Sequence, residues 1–157
     1  EMGVPSVIID GMRMNNAAKR QHIFQVAQYA VRIGEEYGIQ IGMETDMSME
    51  DHISFLDALD GKLKLCFDAH NPVMYGTGYP PDMIRTLGKD RIDHFHVKES
   101  QANEDGFLSV ETPIVLLGEG CTFFRESAQA VKDIGYEGWI VSENFYFRPN
   151  ILLTANC

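Results

Sequence analysis

Short apolar runs alternate along this chain with longer segments in which apolar residues recur at helical spacing. Each run is six or seven residues long and has a polar residue at or near its end, which is typical of strands in a parallel sheet covered on both faces. The intervening segments are typical of amphipathic helices. We predict five strands, at 5–10, 39–44, 62–68, 92–97 and 138–143, and four helices, at 16–37, 48–59, 80–87 and 122–134. Gly38 and Ser48 stand where a helix C-terminus and an N-cap favour them.

The alternation of strand and helix predicts an α/β fold with a parallel sheet and helices on its faces. The strand ends are separated by 34, 24, 28 and 47 residues, and a (β/α)8 barrel has roughly 30 residues per unit. The first three intervals fit one unit each, and the last fits one unit plus the irregular loop at 99–121. We predict a single domain over residues 1–157, a partial (β/α) TIM barrel with five of the eight strands.

Composition narrows the choice of partners and compartment. The chain has 157 residues and a formal net charge of −10, which argues against nucleic acid and against an anionic membrane surface. Its cysteines, Cys66, Cys121 and Cys157, form no CxxC pair, so we expect no disulfide framework and a reducing, cytoplasmic setting. Cys66 lies in an apolar run and is predicted to be a core residue. No apolar stretch reaches the roughly 18 residues of a membrane span, and residues 1–10 do not resemble a secretory signal.

Polar residues stand at the end of each predicted strand, namely Asp10, Glu44, Asp68, His96 and Glu143. In a closed barrel the carboxyl ends of the strands converge on one mouth, where the functional residues of such barrels lie. We therefore expect these side chains to meet, although no two are neighbours in sequence. For Asp10, a cap of the following segment and a contact with substrate both remain open.

Two glutamates, one aspartate and one histidine that converge on one point form an oxygen-rich site with a single imidazole. Such a ligand set suits Mn²⁺, Mg²⁺ or Co²⁺ better than a structural zinc ion, which prefers thiolates. A divalent ion would also offset the repulsion between three carboxylates packed together. His94 shares a strand face with His96, so we expect one of them to be a ligand and the other a packed or hydrogen-bonded neighbour.

Five motifs, taken in order, resemble those of the xylose isomerase-like family of sugar phosphate isomerases and epimerases. They are IGMETDM, CFDAHN, HFHVKES, LGEG and IGYEGWIVSENFY, which span residues 39–146, about two-thirds of the chain. HVKE, and LGEG followed by GYEGWIVSE, are the most specific of them. The resemblance implies a TIM barrel, a metal-dependent activity in carbohydrate metabolism and a small sugar or polyol-carbonyl substrate.

The resemblance also implies roles for the residues at the strand ends. Glu44, Asp68, His96 and Glu143 match the family's metal ligands. Glu44 and Glu143 match the catalytic acid/base pair of its epimerase and isomerase members. Mn²⁺ is the favoured ion, with Mg²⁺, Co²⁺ and Zn²⁺ as alternatives.

Three more positions match substrate-binding positions of the family. Asn71 falls where members often have a histidine or asparagine that contacts substrate, and the adjacent His70 is the alternative for that role. Lys98 matches a commonly basic position that faces the substrate. Glu119, in the LGEG turn, is interpreted as a residue that supports the loop.

Two branches of the family fit this chain less well. The ketose 3-epimerases usually have an arginine shortly after the metal histidine, and here residues 99–103 contain none. The endonuclease IV-like phosphodiesterases need three zinc ions and several more histidines. Of the five histidines in this chain, His22 and His52 are expected on helix surfaces, and the acidic balance also disfavours that branch.

The predicted function is that of a metal-dependent isomerase or epimerase. It would remove a proton next to a carbonyl, through an enediolate, on a ketose, a ketose phosphate or an inosose. One alternative is a lyase or dehydratase of the same family, of the inosose, dehydroshikimate or C-glycoside-cleaving type. The other is a non-catalytic barrel fragment or subunit.

The five strands correspond to the C-terminal five strands of the family's barrel, beginning at the fourth. We expect the chain to be either a fragment of a longer protein or a unit that completes its sheet in a homo-oligomer, because open sheet edges favour pairing. The ending NILLTANC does not resemble the family's usual ending and agrees with truncation.

Overall fold

The computed structural model describes residues 3–14, 16–106, 108–109 and 112–144. Within them the strands are Ser6–Gly11 (β1), Gln40–Thr45 (β2), Leu63–Asp68 (β3), Ile92–Val97 (β4) and Trp139–Ser142 (β5). The α-helices are Ala17–Tyr37 (α1), Met49–Asp57 (α2), His70–Tyr75 (α3), Pro80–Leu87 (α4) and Phe124–Asp133 (α5), and a 3-10 turn at Lys89–Arg91 precedes β4. Each strand begins and ends within one residue of its predicted bounds.

The five strands form one parallel sheet whose spatial order is the order of the chain, β1-β2-β3-β4-β5. The first two strands pair from Ser6 opposite Gln40 to Gly11 opposite Thr45. The other strand pairs are parallel as well, so every strand ends at the same edge of the sheet. Sequential parallel strands joined by helices make a half-barrel, and the predicted partial TIM barrel is therefore confirmed.

Helix α1 is fixed at both ends by its own sequence and lies close to β2. The Asn16 side chain accepts the free N–H groups of the first turn, and Gly38 ends the helix in the left-handed conformation at φ 67°. At Gly34, a Cβ atom would lie 2.5 Å from the carbonyl oxygen of Ile39. The missing side chain therefore allows the helix to approach the strand that carries part of the site.

The apolar core lies between the sheet and the helices. Side chains alternate across each strand, so Met43, Leu65 and Phe95, all at most 2% exposed, point toward the helix layer. Phe95 also packs edge-to-face on Tyr136, with ring centroids 4.7 Å apart. Burial of each such side chain contributes roughly 1.5–3 kcal/mol, and the opposite face of the strands is left for polar residues.

A β-bulge interrupts the pairing of β3 with β4. Leu65 lies opposite Ile92, but the next residue, Cys66, lies opposite His94, so Asp93 is the extra residue. The Asp93 carboxylate accepts a hydrogen bond from Ser6 of β1. The bulge therefore places the Asp93 carboxylate inside the half-barrel, below the strand ends.

Two features differ from the prediction. Helix α3, which begins two residues after Asp68, is not predicted. His52 is not on a helix surface: it is 3% exposed, and its Nε2 lies 2.5 Å from Thr45 Oγ1. It shares the sheet-facing stripe of α2 with Phe55 and Leu56, and burial lowers the pKa of His52 to about 4, so the ring is neutral at pH 7.

The predictions for Cys66 and His22 are confirmed. Cys66 is 2% exposed, as predicted, and both Cys66 and Cys121 are unpaired thiols. His22 is exposed on α1, as predicted. No described helix has the length and apolar character that crossing a bilayer requires. The end of the last motif, Phe145–Tyr146, together with Cys157 and the ending at 150–157, lies outside the described residues.

Candidate metal centre

The strand ends bring four of the predicted residues together at one edge of the sheet. Asp68 is directly opposite His96 across β3 and β4. Glu143 follows β5, where its backbone N–H donates to Val97 O at 3.1 Å. Together with Glu44 they offer one ligand atom each, and these atoms all lie within 4.8 Å of one another. A single ion could therefore contact all four side chains.

His96 lies between the two glutamates. Its Nδ1 is 3.3 Å from Glu44 Oε2 and 3.2 Å from Glu143 Oε1. Contact with Glu44 raises the pKa of His96 against the opposing effect of burial. Burial on its own would raise the pKa of Glu44, but contacts with His96 and Asn71 outweigh it and keep the pKa below its ordinary value. Glu44 is therefore a carboxylate at pH 7.

Asp68 is the most deeply buried acid of the cluster, with its side chain fully enclosed. Burial raises the pKa of Asp68 to about 6, although the nearby charge of Lys98 acts in the opposite direction. Lys98 Nζ lies 2.5 Å from Asp68 Oδ2 and 3.2 Å from Glu143 Oε2. Burial opposes the charge on Lys98, but these carboxylates outweigh it and raise the pKa of the ammonium group.

Two buried atoms of the cluster lack a hydrogen bond of ordinary geometry, Asp68 Oδ2 and His96 Nδ1. Both are atoms that ligate metals, and their partners here are charged groups: Lys98 for the Asp68 oxygen, and the two glutamates for the His96 nitrogen. Three carboxylates and one imidazole match the donors of a hard or borderline divalent ion. The residues present therefore fit a divalent metal ion.

Cys66 offers a second, smaller set of donor atoms with Glu44 and His96. Burial, reinforced by the surrounding carboxylates, raises the pKa of the Cys66 thiol well above its ordinary value. A protonated thiol is a poor ligand. The four-residue cluster is thus the better metal site.

The three predicted substrate-binding residues lie around this cluster. Asn71 Nδ2 donates to Glu44 Oε1 at 2.9 Å, and Lys98 contacts two carboxylates as described. His70 donates its backbone N–H to Asp68 Oδ1 at 2.8 Å, and its ring Nε2 lies 3.0 Å from Ser100 Oγ. Burial, with the charge of Lys98, lowers the pKa of His70 to about 4, so this ring is neutral.

The structure separates His94 from His96. His94 Nδ1 lies 2.7 Å from Asp93 Oδ2, and its ring stacks on Trp139, so it is the hydrogen-bonded neighbour of the pair. Asp10 is exposed, and its Oδ1 accepts the N–H of Met12 at 2.8 Å, as a cap does. Glu119 is exposed in the LGEG turn, where its backbone N–H donates to Leu116 O at 3.0 Å. The role of its side chain in supporting the loop stays a prediction.

Glu99 was missed by sequence reasoning and is central to the loop beside the cluster. It is 1% exposed. Its carboxylate accepts hydrogen bonds from the N–H of Gly118 at 3.1 Å, from the N–H of Thr122 at 2.8 Å and from the Thr122 hydroxyl. The LGEG turn is therefore wrapped around this side chain. Asn144, next to Glu143, accepts the N–H of Glu99 at 2.9 Å and donates to Val115 O.

Comparison with known proteins shows the family to which this chain belongs. A family model described as a xylose isomerase-like TIM barrel matches residues 1–155. An inosose dehydratase from Lacticaseibacillus casei is 29% identical over 133 residues, which are 71% of this chain and 43% of that protein. The chain spans about half the length of the curated relatives that it matches.

Solved structures share the fold at lower identity. A structure of the IolI protein with a bound zinc atom has a TM-score of 0.74 and 18% identity, covering 98% of this chain and 58% of that chain. A D-allulose 3-epimerase from Methylomonas sp. has a TM-score of 0.63 and 20% identity, covering 88% of this chain and 48% of that chain. At such identities the likeness concerns the fold.

Proposed function

We propose that this chain, which belongs to the xylose isomerase-like TIM barrel family, is part of a metal-dependent isomerase or epimerase acting on a small sugar or polyol. The observation that carries the proposal is the convergence of three carboxylates and one imidazole within 4.8 Å at the strand ends. The proteins similar to this chain include an inosose dehydratase and a D-allulose 3-epimerase. Their names support carbonyl chemistry of this kind.

Glu44, Asp68, His96 and Glu143 would hold one divalent ion. Bound there, the ion supplies Lewis-acid polarisation of a substrate carbonyl, which acidifies the neighbouring C–H bond. Manganese is proposed first because the ligands are mainly oxygens. Zinc remains an alternative, because it is the atom bound in the IolI structure.

The two glutamates are proposed to move the proton. One of them removes it from the carbon next to the carbonyl, leaving an enediolate, and the other returns a proton to the opposite face or to the neighbouring carbon. Glu44 and Glu143 contact His96 from two different strands at similar distances, 3.3 and 3.2 Å. The lowered pKa of Glu44 keeps it in the basic form that proton removal requires.

Lys98 and Asn71 are proposed to hold substrate oxygens. Lys98 places a positive charge beside the acid cluster, where the negative charge of an enediolate develops. Asn71 is bound to Glu44 through its Nδ2, which directs that carboxylate and leaves the amide oxygen for a substrate hydroxyl. His70, turned toward Ser100, is assigned to supporting the loop rather than to the substrate.

The metal is tested by elemental analysis of the purified protein after incubation with Mn²⁺. We expect about one ion per chain in the wild type and a large loss in Asp68→Asn, which keeps the shape of the side chain. Asp10→Asn is the matched control, because Asp10 is an exposed strand-end aspartate outside the cluster. Equal metal content in wild type and Asp68→Asn would rule out this ligand set.

Proton abstraction is tested by incorporation of deuterium from D2O into candidate ketoses and inososes, read by NMR. We expect incorporation at the carbon next to the carbonyl and at least a hundredfold loss in Glu44→Gln and in Glu143→Gln, in line with removal of a general acid or base. Glu119→Gln, an exposed glutamate of the neighbouring turn, should exchange at the wild-type rate. Undiminished exchange in Glu143→Gln would exclude the glutamate pair.

Dehydration is the second candidate, and the inosose dehydratase relatives favour it. The same first step, loss of a proton beside a carbonyl, is followed by departure of a hydroxyl group from the next carbon. The product is a conjugated carbonyl compound with a new ultraviolet absorbance. Growth of that absorbance with an inosose would select the dehydratase, whereas deuterium incorporation without it would select the epimerase or isomerase.

We also propose that the sheet is completed by further strands, from a longer chain or from a second copy. β5 is an edge strand in the described part of the chain, and its side chains Trp139 and Ile140 are 62% and 57% exposed. Light scattering of the natural protein tests this, since a stable monomer of this length would contradict it.

The unpaired thiols of Cys66 and Cys121 support a cytoplasmic setting.

A further inference from the structure

Glu143 is the member of the acid cluster with the least support from the sheet. Its side chain is 29% exposed, against 20% for Glu44 and 0% for Asp68. Glu44, Asp68 and His96 lie on strands that have a neighbour on each side, whereas β5 has one neighbour, β4, in the described part of the chain. All four residues of β5 are exposed. The position of the Glu143 carboxylate therefore depends on contacts outside the sheet.

Asn144, the next residue, joins the end of β5 to the loop that follows β4. Its Oδ1 accepts the N–H of Glu99 and its Nδ2 donates to Val115 O, each at 2.9 Å. The N–H of Val115 in turn donates to Glu99 O at 3.0 Å. The Asn144 amide is therefore bound to two chain segments that are also hydrogen-bonded to each other.

These two segments form a short antiparallel pairing inside the irregular loop. Ser100 lies opposite Ile114, and the N–H of Gln101 donates to Pro113 O at 3.0 Å. The buried Glu99 carboxylate, which accepts three hydrogen bonds, fixes the same part of the loop. The amide of Asn144 is thus anchored on a well-connected segment.

The contacts of Asn144 also connect the charged groups of the site. The peptide group whose N–H it accepts joins Lys98 to Glu99, and Lys98 Nζ lies 3.2 Å from Glu143 Oε2. Asn144 therefore ties together the backbones of Lys98 and Glu143, whose side chains are in contact. A shift of this connection would change that contact and the 3.2 Å separation of Glu143 Oε1 from His96 Nδ1.

The chemistry of an amide side chain suits this connection. Asparagine offers an acceptor and a donor side by side, whereas an ionised aspartate of the same shape can only accept. An aspartate at position 144 would leave Val115 O facing a carboxylate oxygen. Asn144 is half-buried, and both ends of its amide bind backbone groups. It therefore acts on the site through Glu143.

We infer that Asn144 is a positioning residue that holds Glu143 against His96 and Lys98 and so sets the geometry of the acid cluster. The inference rests on the proposed function, because it concerns the carboxylate that is proposed there as a metal ligand and proton carrier. Loss of a residue that orients a metal ligand typically weakens metal binding by about 10–100-fold.

Titration of the natural protein with Co²⁺, followed by visible absorption, tests the inference, because the absorption bands of bound Co²⁺ report its coordination geometry. We expect Asn144→Ala to bind Co²⁺ about tenfold or more weakly than the wild type, with altered bands at saturation. Asn144→Gln keeps the amide but places it one methylene further out, so it retains the hydrogen-bonding groups and should also show altered bands. Asn103→Ala is the matched control, because Asn103 belongs to the same loop and its Nδ2 contacts Ser109 Oγ instead.

The free energy of unfolding in urea, measured on the same proteins, separates positioning from a purely structural role. Wild-type Co²⁺ affinity and bands in both Asn144 variants, whatever their stability, would overturn the inference and leave the metal centre standing.

Crystals of the variants grown without metal separate the two proposals. If the wild type binds no Co²⁺, the metal centre is contradicted, and the separation of His96 Nδ1 from Glu143 Oε1 decides the role of Asn144. A longer separation in the variants than in the wild type would support the inference. An unchanged separation would overturn it.

Discussion

Replacement of the buried Glu99 is the perturbation that most directly tests how the loop beside the site is built. Glu99 is 1% exposed, and its carboxylate accepts from the N–H of Gly118, the N–H of Thr122 and the Thr122 hydroxyl. Glu99→Ala removes the acceptor and leaves these donors behind. Glu99→Gln keeps the shape but replaces one acceptor oxygen with a donor group.

The expected loss of unfolding free energy follows from those hydrogen bonds. A buried donor left without a partner costs about 1–3 kcal/mol, and Thr122 is itself 1% exposed, so water does not readily replace the lost oxygen. The alanine variant should therefore lose about 3–5 kcal/mol of unfolding free energy, comparable to breaking a buried charged interaction. The glutamine variant should lose about 1.5–3 kcal/mol, the contribution of a hydrogen bond to a charged group.

Urea denaturation measures these changes, with hydrogen exchange of the Gly118 and Thr122 amides as a second readout. The second readout is needed because the loop can open without global unfolding, which would reduce the loss seen in urea. Glu119→Ala, an exposed carboxylate in the same turn, is the matched control and should change stability by less than about 0.5 kcal/mol. If Glu99→Ala leaves both stability and amide exchange like those of the control, the carboxylate does not organise this loop.

Two further predictions concern the scaffold. In the folded protein the pKa of His52 is about 4, below the ordinary 6.5. Between these two pH values the unfolded chain therefore binds one more proton than the folded chain. The free energy of unfolding should fall by about 3 kcal/mol as the pH drops from 6.5 to 4. Urea titrations at several pH values should show that His52→Gln lacks this pH-dependent loss of stability and that His22→Gln retains it. The same dependence of unfolding free energy on pH in the wild type and both variants would contradict the burial argument. Gly34→Ala should lower the melting temperature measured by circular dichroism, because a Cβ 2.5 Å from Ile39 O costs about 1–3 kcal/mol, more than the roughly 1 kcal/mol that alanine gains in a helix. A rise in melting temperature would mean that α1 shifts away from β2 at little cost.

The fold could be predicted from the sequence because buried parallel strands appear in a sequence as apolar runs. The run of β3 (LKLCFD) ends in Asp68, and that of β2 (QIGMET) has Glu44 as its second-last residue. Parallel strands bring their carboxyl ends to one edge of the sheet. The convergence of Glu44 and Asp68 with His96 follows from that rule alone. Their roles as ligands and catalysts stay predictions.

Other features depend on contacts that periodicity does not report. α3 is six residues long and contains Pro72, too short for a helical repeat to stand out. The bulge at Asp93 is a property of the pairing between two strands, and neither strand shows it alone. His52 could have been recognised, since it shares the apolar spacing of Phe55 and Leu56. Glu99 gave only the spacing of HVKE as a signal, because its partners lie about twenty residues further along the chain.

The order of the strands in space, which equals their order in the chain, has a consequence for evolution. Glu44, Asp68 and His96 lie on separate strands and Glu143 directly follows β5. The described residues beside them come from separate connections, among them Met12, Asn71 and Lys98. A change in one connection can therefore alter what is bound while the neighbouring strands keep their pairing and their apolar face. Exchange of one connecting segment would thus change the surroundings of the acid cluster without moving the strands that carry it.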